Sequence, residues 1–209
     1  MTTFRLIFVG VLILASACAS CQSKRAATKT KSVLDPDKVL IVYLSRTNNT
    51  KAIAEIIHEN VGGTLVALEL VNPYPGDYKK IVQQVVEENE TGFLPPLKTK
   101  IENFDRYKVV FIGFPTWGMQ LPPPMKSFLR QYDLGGKTVV PFNTNAGYGI
   151  GSSFDTVKEL CPGSKILEGF SIKGGVERDG ILFVMEGEKE RQARDGVRKW
   201  LQKIKMKTP

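Results

Sequence analysis

From residue 38 onward, short apolar runs alternate with longer stretches in which apolar residues recur every three or four positions. Lys38–Ser45 (KVLIVYLS) is a continuous apolar run rich in β-branched residues, the pattern of a strand covered on both faces. Thr50–Val61 then sets Ile53, Ile56, Ile57 and Val61 at helical spacing. The alternation continues with a strand at Thr64–Leu70 and a helix at Asp77–Glu90 carrying Ile81, Val82, Val85 and Val86 on one side. Lys108–Pro115 is a third strand, and a helix opening on prolines, where a missing N–H costs least, spans Pro122–Tyr132. Lys137–Asn143 is a fourth strand, Ser152–Leu160 a helix, Ile166–Ile172 a fifth strand and Glu188–Ile204 the last helix. Five strands alternating with helices, without an internal repeat, predict an open, doubly wound parallel α/β sheet with right-handed crossovers.

The N-terminal part reads differently. Arg5 supplies a positive start and Leu6–Ala15 an apolar stretch too short to span a bilayer as a helix. Small residues surround Cys18 and Cys21. This is the layout of a secretory signal over residues 1–21. A cysteine following small residues resembles a bacterial lipobox, and Ala-Ser-Ala before Cys18 fits it more closely than Cys-Ala-Ser before Cys21. A plain signal peptide cut nearby is the alternative. Residues 22–37 (QSKRAATKTKSVLDPD) are polar and Lys-rich and predict a flexible tether, leaving 38–209 as one domain. The expectation is an exported protein of the bacterial cell envelope, lipid-anchored to a membrane.

Charge and cysteine usage narrow the chemistry. Five of the 29 Lys and Arg residues precede residue 33, where there is no acid, leaving 24 basic against 21 acidic groups in the remainder. The domain is therefore only mildly basic, without the clustered basic face and stacking aromatics of a nucleic-acid binder. Cys18, Cys21 and Cys161 cannot build a disulfide framework, and no Cys/His cluster has metal-ligand spacing. The one histidine, His58, beside Glu55 and Glu59, reads as solvated, which argues against His-based triads. Cys161 reads as a small packed thiol.

In such sheets ligands bind beyond the carboxyl ends of the strands. The loop after the first strand, Ser45-Arg46-Thr47-Asn48-Asn49-Thr50-Lys51, sets hydroxyls and amides before a helix N-terminus, where free N–H groups favour a phosphate. Asn and Thr there also serve as turn and cap residues. The loop lacks the glycines of a Walker loop or a dinucleotide turn. After the third strand, Pro115-Thr116-Trp117-Gly118 places an indole where it can stack on a ring; a core lid is the competing reading. After the fourth, Thr144-Asn145-Ala146-Gly147-Tyr148-Gly149 offers close backbone approach and a second aromatic wall. The three loops describe a ligand with a phosphate at one end and a flat ring at the other.

YLSRTNNTKAIAE resembles the phosphate loop of flavodoxins, and IGFPTWGMQLPPPMKSFLRQYDLGGKTVVPFNTNAGYGIG resembles their flavin-contacting half; the similarity takes in NPYPGDY (72–78) and the terminal Trp-Leu helix, covering roughly 38–205. The resemblance implies a five-stranded parallel sheet in the order 2-1-3-4-5 and FMN as cofactor. It implies that Ser45, Thr47, Asn49 and Thr50 hold the phosphate and that Trp117 stacks on the isoalloxazine. Gly118 would contact the ring through its backbone, while Thr144, Asn145, Gly147 and Tyr148 flank it. Asn48 stands where many relatives have glycine, and Asn tolerates the left-handed region. Arg46 adds a charge the usual loop lacks. The function implied is one-electron transfer to redox partner proteins or small electron acceptors. The alternative is an FMN-dependent reductase taking hydride from NAD(P)H, for which no nicotinamide motif is present. The apolar island Ile181–Met185 within 176–196 reads as an extra strand, a lid or a partner surface.

Overall fold

The computed structural model describes residues 34–206. The expected signal segment, both lipobox cysteines and most of the expected tether lie outside the described residues. Residues 34–37 belong to the folded body: Leu34 packs on the core and Pro36–Lys38 form a 3-10 turn capped by the Asp35 carboxylate.

The strands are β1 (Val39–Tyr43), β2 (Thr64–Ala67), β3 (Val109–Pro115), β4 (Thr138–Asn145), β5 (Lys165–Ile166) and β6 (Phe170–Lys173). The helices are α1 (Asn49–Val61), α2 (Tyr78–Thr91), α3 (Pro123–Gln131), α4 (Ser153–Leu160) and α5 (Gly187–Lys203). All pairings are parallel, in the order β2-β1-β3-β4-β5, so the chain reverses its direction of winding between β1 and β3. One sheet face is covered by α1 and α5, with Ile53, Ile56, Ile57, Val197 and Trp200 packed on Val39, Ile41 and Phe111. The other buries Leu40, Val42, Ile112 and Phe114 under Met125, Phe128 and Val157 of α3 and α4.

Two elements differ from expectation. The fifth strand, expected unbroken over Ile166–Ile172, is two pieces along β4: β5 faces Thr138 and Val139, and β6 faces Phe142 to Asn145. Between them Pro141 of β4 has no N–H to give the ladder. Gly169 passes so close to Phe154 that a Cβ there would lie 2.4 Å from the ring. Among the described residues the sheet thus has six strands where five were expected.

The second difference is α2. Ile81 and Val85 are buried but belong to neither of the two sheet cores. The cover over β1 and β2 on that side comes instead from Leu97, Ile101, Phe104 and Tyr107. Residues 72–95 form an excursion closed at its base by the antiparallel Leu70–Leu97 bridge, with Val71 N–H donating to Pro96 O at 3.0 Å and Lys98 N–H to Glu69 O at 2.8 Å. The Asp77 carboxylate caps α2 by accepting from Lys80 N–H at 2.9 Å. His58, expected to be solvated, is half-buried, and its Nδ1 is shielded from solvent without a hydrogen-bond partner among the described residues. Cys161 is buried as expected.

Candidate functional site

The three loops expected to carry the chemistry converge at the β1–β3 switch point. Asn48 takes the left-handed conformation (φ 62°) directly before α1. This bend leaves the amides of Thr47, Asn48, Asn49 and Thr50 donating to no protein group among the described residues. Four free N–H groups at the positive end of a 13-residue helix form an anion cradle. The hydroxyls are partly engaged: Ser45 Oγ accepts from Lys51 N–H at 3.2 Å, and Thr50 and Thr144 pair through their hydroxyls at 2.8 Å. Either hydroxyl of that buried pair can donate to the other, which leaves one proton for a ligand.

The loop after β3 is a two-residue turn. Trp117 N–H donates to Gln120 O at 3.3 Å and Gln120 N–H to Trp117 O at 3.0 Å, with Gly118 at φ 56° and Met119 at φ 60°. Positive φ at both central residues defines a type I′ turn, in which Gly118 is at home and Met119 is strained. The turn is held from behind: Ser152 N–H donates to Met119 O at 3.0 Å, and a Cβ on Gly151 would lie 2.0 Å from that oxygen. A Cβ on Gly118 would meet nothing within 4 Å, so the space beside its Cα is open, and Gly118 borders both cavities described below. Trp117 is half-buried and braced edge-to-face by Tyr74, with ring centroids 5.5 Å apart and planes at 82°. The Tyr74 hydroxyl donates to the buried Glu88 carboxylate, which also accepts from Gln84 at 2.8 Å. Burial, and then the Glu88 hydrogen bond, push the Tyr74 phenol far above its ordinary range.

The loop after β4 is organised by Asn145. Its Oδ1 accepts from the Gly147 and Gly149 amides at 2.8 and 3.2 Å, while Nδ2 donates to Asn143 and Ser171. Asn143 in turn donates to Thr116 Oγ1 at 2.9 Å, and Thr116 donates to Gly149 O at 3.1 Å, stitching the β3 and β4 loops together. Tyr148 is 66% exposed, its hydroxyl accepting from Arg178 at 3.3 Å.

Two adjoining cavities run through this region. One, of about 310 Å³, reaches from Arg46, Thr47 and Asn49 past Pro115, Thr116, Trp117 and Gly118 to Thr144–Ala146. The other, of about 520 Å³, continues between Gly118, Met119, Tyr148 and Gly149. Tyr78, Thr116, Gly118, Asn145, Ala146 and Glu177 border both. Ser45, Asn48, Thr50 and Gly147 are not among the residues lining either cavity; Thr50 is buried, and Asn48 and Gly147 are exposed.

Two further walls come from outside the three loops. The face of α2 formed by Tyr78, Ile81, Val82, Val85, Val86 and Asn89 lines the same cavity as Trp117. The strap 174–184 lines it through Gly174, Gly175 and Glu177. The strap is a small hairpin closed by the Val176–Ile181 bridge, and a Cβ on Gly175 would lie 2.0 Å from Leu182 O. The apolar island is therefore part of a loop beside the site rather than a paired strand of the sheet. Asn49 fastens it, donating to Leu182 O at 2.6 Å and accepting from Val184 N–H at 3.1 Å, while also donating to Thr47 Oγ1 at 2.9 Å. Arg46 adds a half-buried ion pair with Glu177 (2.6 Å) and bonds to the Pro75 and Gly76 carbonyls. The sequence signals for these walls were the NPYPGDY segment, the Gly174-Gly175 pair and the apolar island, none of which names its contacts.

An anion cradle, an indole and a continuous cavity at the switch point of a doubly wound parallel sheet define a protein that binds a phosphate-bearing ring compound. The chain belongs to the flavodoxin family, whose model matches residues 38–187. A candidate flavoprotein from Bacteroides eggerthii DSM 20697 is similar at 31% identity and a TM-score of 0.64, over 80% of this chain and 98% of that one. A candidate flavoprotein from Bacteroides uniformis ATCC 8492 shares the fold at 24% identity and a TM-score of 0.65, over 80% and 99%. So does a Lactobacillus acidophilus NCFM flavoprotein solved with FMN, at 21% identity and a TM-score of 0.56, over 69% and 98%. No curated protein matches the chain significantly.

Proposed function

We propose that this protein binds FMN noncovalently as a one-electron carrier and works at a membrane, held there by a lipid on Cys18 or Cys21. The observation that carries the reading is one cavity system with free helix-terminal amides at one end and Trp117 and Gly118 further along it. The residues fit the cofactor. The amides of Thr47 to Thr50 suit a phosphate dianion, and the one spare hydroxyl proton of the Thr50–Thr144 pair suits a phosphate oxygen. Trp117 suits a flat ring, and the open side of Gly118 leaves its peptide free to face that ring. FMN is also the cofactor in the Lactobacillus acidophilus relative.

Bound FMN supplies the redox chemistry; the chain's residues bind and orient it. The Tyr74–Glu88 pair braces Trp117 through the edge-to-face ring contact, and the Asn145 hub fixes the loop that carries Tyr148. The exposed Tyr148 and Met119 leave an open approach for a redox partner. The Lys-rich segment 22–37 suits a tether over an anionic lipid surface.

The test is an anaerobic absorption spectrum of the FMN-loaded full-length protein before and after addition of NADPH or NADH. A carrier keeps its oxidised flavin band with nicotinamide and takes up electrons from a chemical reductant in two separate one-electron steps. Rapid bleaching by NAD(P)H would replace the carrier with a reductase. Detergent-phase partitioning of the C18A and C21A variants tests the anchor: one of them should shift the protein to the aqueous phase, and neither doing so would remove the lipid.

A further inference from the structure

Arg46 adds a charge to the phosphate loop, and its bonds go to the chain itself. Its Nε donates to Glu177 Oε1 at 2.6 Å, Nη1 to Pro75 O at 3.1 Å and Nη2 to Gly76 O at 2.7 Å. A guanidinium has five N–H donors in a rigid fork, so three are already committed. Pro75 and Gly76 sit immediately before the Asp77 cap of α2, and their carbonyls accept from no other group among the described residues. Glu177 lies in the strap, which is also held by Asn49, by Gly174 N–H donating to Asn145 O at 2.8 Å and by Arg178 donating to the exposed Tyr148 hydroxyl at 3.3 Å.

We propose that Arg46 is a positioning residue that latches both outer walls of the site, the α2 excursion and the 174–184 strap, to the phosphate loop. The inference rests on the flavin reading above. The excursion is joined to the body at its base through Leu70 and Leu97, and Arg46 ties it down again beside the start of α2. The α2 face with Ile81, Val82, Val85 and Val86 lines the same cavity as Trp117. Releasing the latch therefore loosens the wall beside the ring as well as the phosphate end. A residue acting only through the phosphate charge would leave the ring-binding part untouched.

The discriminating pair of probes is FMN and riboflavin, which share the ring and differ by the phosphate. Their dissociation constants are measured by calorimetry on the full-length protein. R46A should weaken both flavins by roughly ten-fold or more, the scale of losing charge-assisted hydrogen bonds. R46K keeps the charge but cannot span one carboxylate and two carbonyls, so it should weaken both as well. E177A keeps Arg46 but removes its bond to the strap, and it too should weaken both. Loss of FMN affinity alone in R46A, with riboflavin unchanged, would overturn the latch, as would tighter FMN binding in E177A through removal of a competing carboxylate. Hydrogen exchange separates this from a failure of the flavin reading. If the parent binds neither flavin, that reading fails, while the latch still predicts faster exchange at 78–91 and 174–184 in R46A with β1 and β3 unchanged. Unchanged exchange at those segments would overturn it. If R46A also loses protection in β1 and β3 it has unfolded, and R46K decides by the same criteria.

Discussion

Asn49 and Leu182, 133 residues apart, are joined by a 2.6 Å hydrogen bond from the Asn49 amide to the Leu182 carbonyl. The same side chain accepts from Val184 N–H at 3.1 Å, so it completes the backbone of the strap much as a neighbouring strand would. Asn49 is almost wholly buried, and its loss removes the partner of two part-buried backbone groups and leaves a gap in the wall. N49A should therefore cost about 2–3 kcal/mol and lower the melting temperature by roughly 4–10 °C. N49D, which keeps only the acceptor, should fall between parent and N49A. A melting temperature of N49A equal to the parent's would remove Asn49 as a fastening of the strap.

Trp117 packs edge-to-face with Tyr74 and lines the cavity. W117A should reduce FMN affinity by ~1–3 kcal/mol, by analogy with bases stacked on aromatic side chains. Y74F leaves the ring pair in place but withdraws the hydroxyl from the buried Glu88 carboxylate. It should therefore destabilise the fold more than it weakens FMN binding. Calorimetric titration beside a urea unfolding series separates the two. Equal FMN affinity in W117A and parent would take the indole out of the site.

The parts legible in the sequence are those set by local pattern. Continuous apolar runs mark β1 and β3 because both faces are covered, and the 53–56–57–61 spacing marks the face α1 packs on the sheet. Asn48 before α1 was legible because Asn tolerates the left-handed region the turn uses. The break between β5 and β6 was not, since it depends on a proline in the neighbouring strand and on Phe154 meeting Gly169. Nor was the position of α2: an apolar stripe at 81, 82, 85 and 86 looks the same whether it covers a sheet or lines a cavity. The Arg46–Glu177 and Asn49–Leu182 contacts join distant segments, so no window of sequence contains them.

Gly118 and Gly151 both have positive φ yet differ in what a side chain would meet. At Gly118 the space is open, so G118A meets only backbone strain of about 1–2 kcal/mol. At Gly151 the Cβ would overlap the Met119 carbonyl, forcing the 117–120 turn to move. G151A should accordingly lose more stability than G118A in thermal unfolding and should also disturb the Trp117 turn. G118A should keep FMN bound while shifting its one-electron potentials if, as proposed, the altered peptide faces the ring. Equal stability losses would mean that the Gly151–Met119 contact relaxes freely, and unchanged potentials in G118A would exclude that peptide from tuning the cofactor.

Cys161, at the end of α4, is buried among Phe128, Leu134 and Val157, and burial pushes its thiol up from 9.0 to about 11. The folded state thus holds a proton that the unfolded chain releases. The sign follows from linkage: where the native state binds more protons, stability falls as pH rises. Below pH 9 the thiol is neutral in both states and its contribution is complete. Between pH 9 and 11 the unfolded thiol ionises first, and the contribution is progressively lost, up to about 2–3 kcal/mol. The tyrosines Tyr43 and Tyr74, also raised, add the same sign above about pH 10 in parent and variant alike. The stability difference between parent and C161A, measured by urea unfolding, should therefore be flat up to pH 9 and shrink from there to pH 11. A difference that stays constant across that window would mean the Cys161 thiolate is tolerated where it sits.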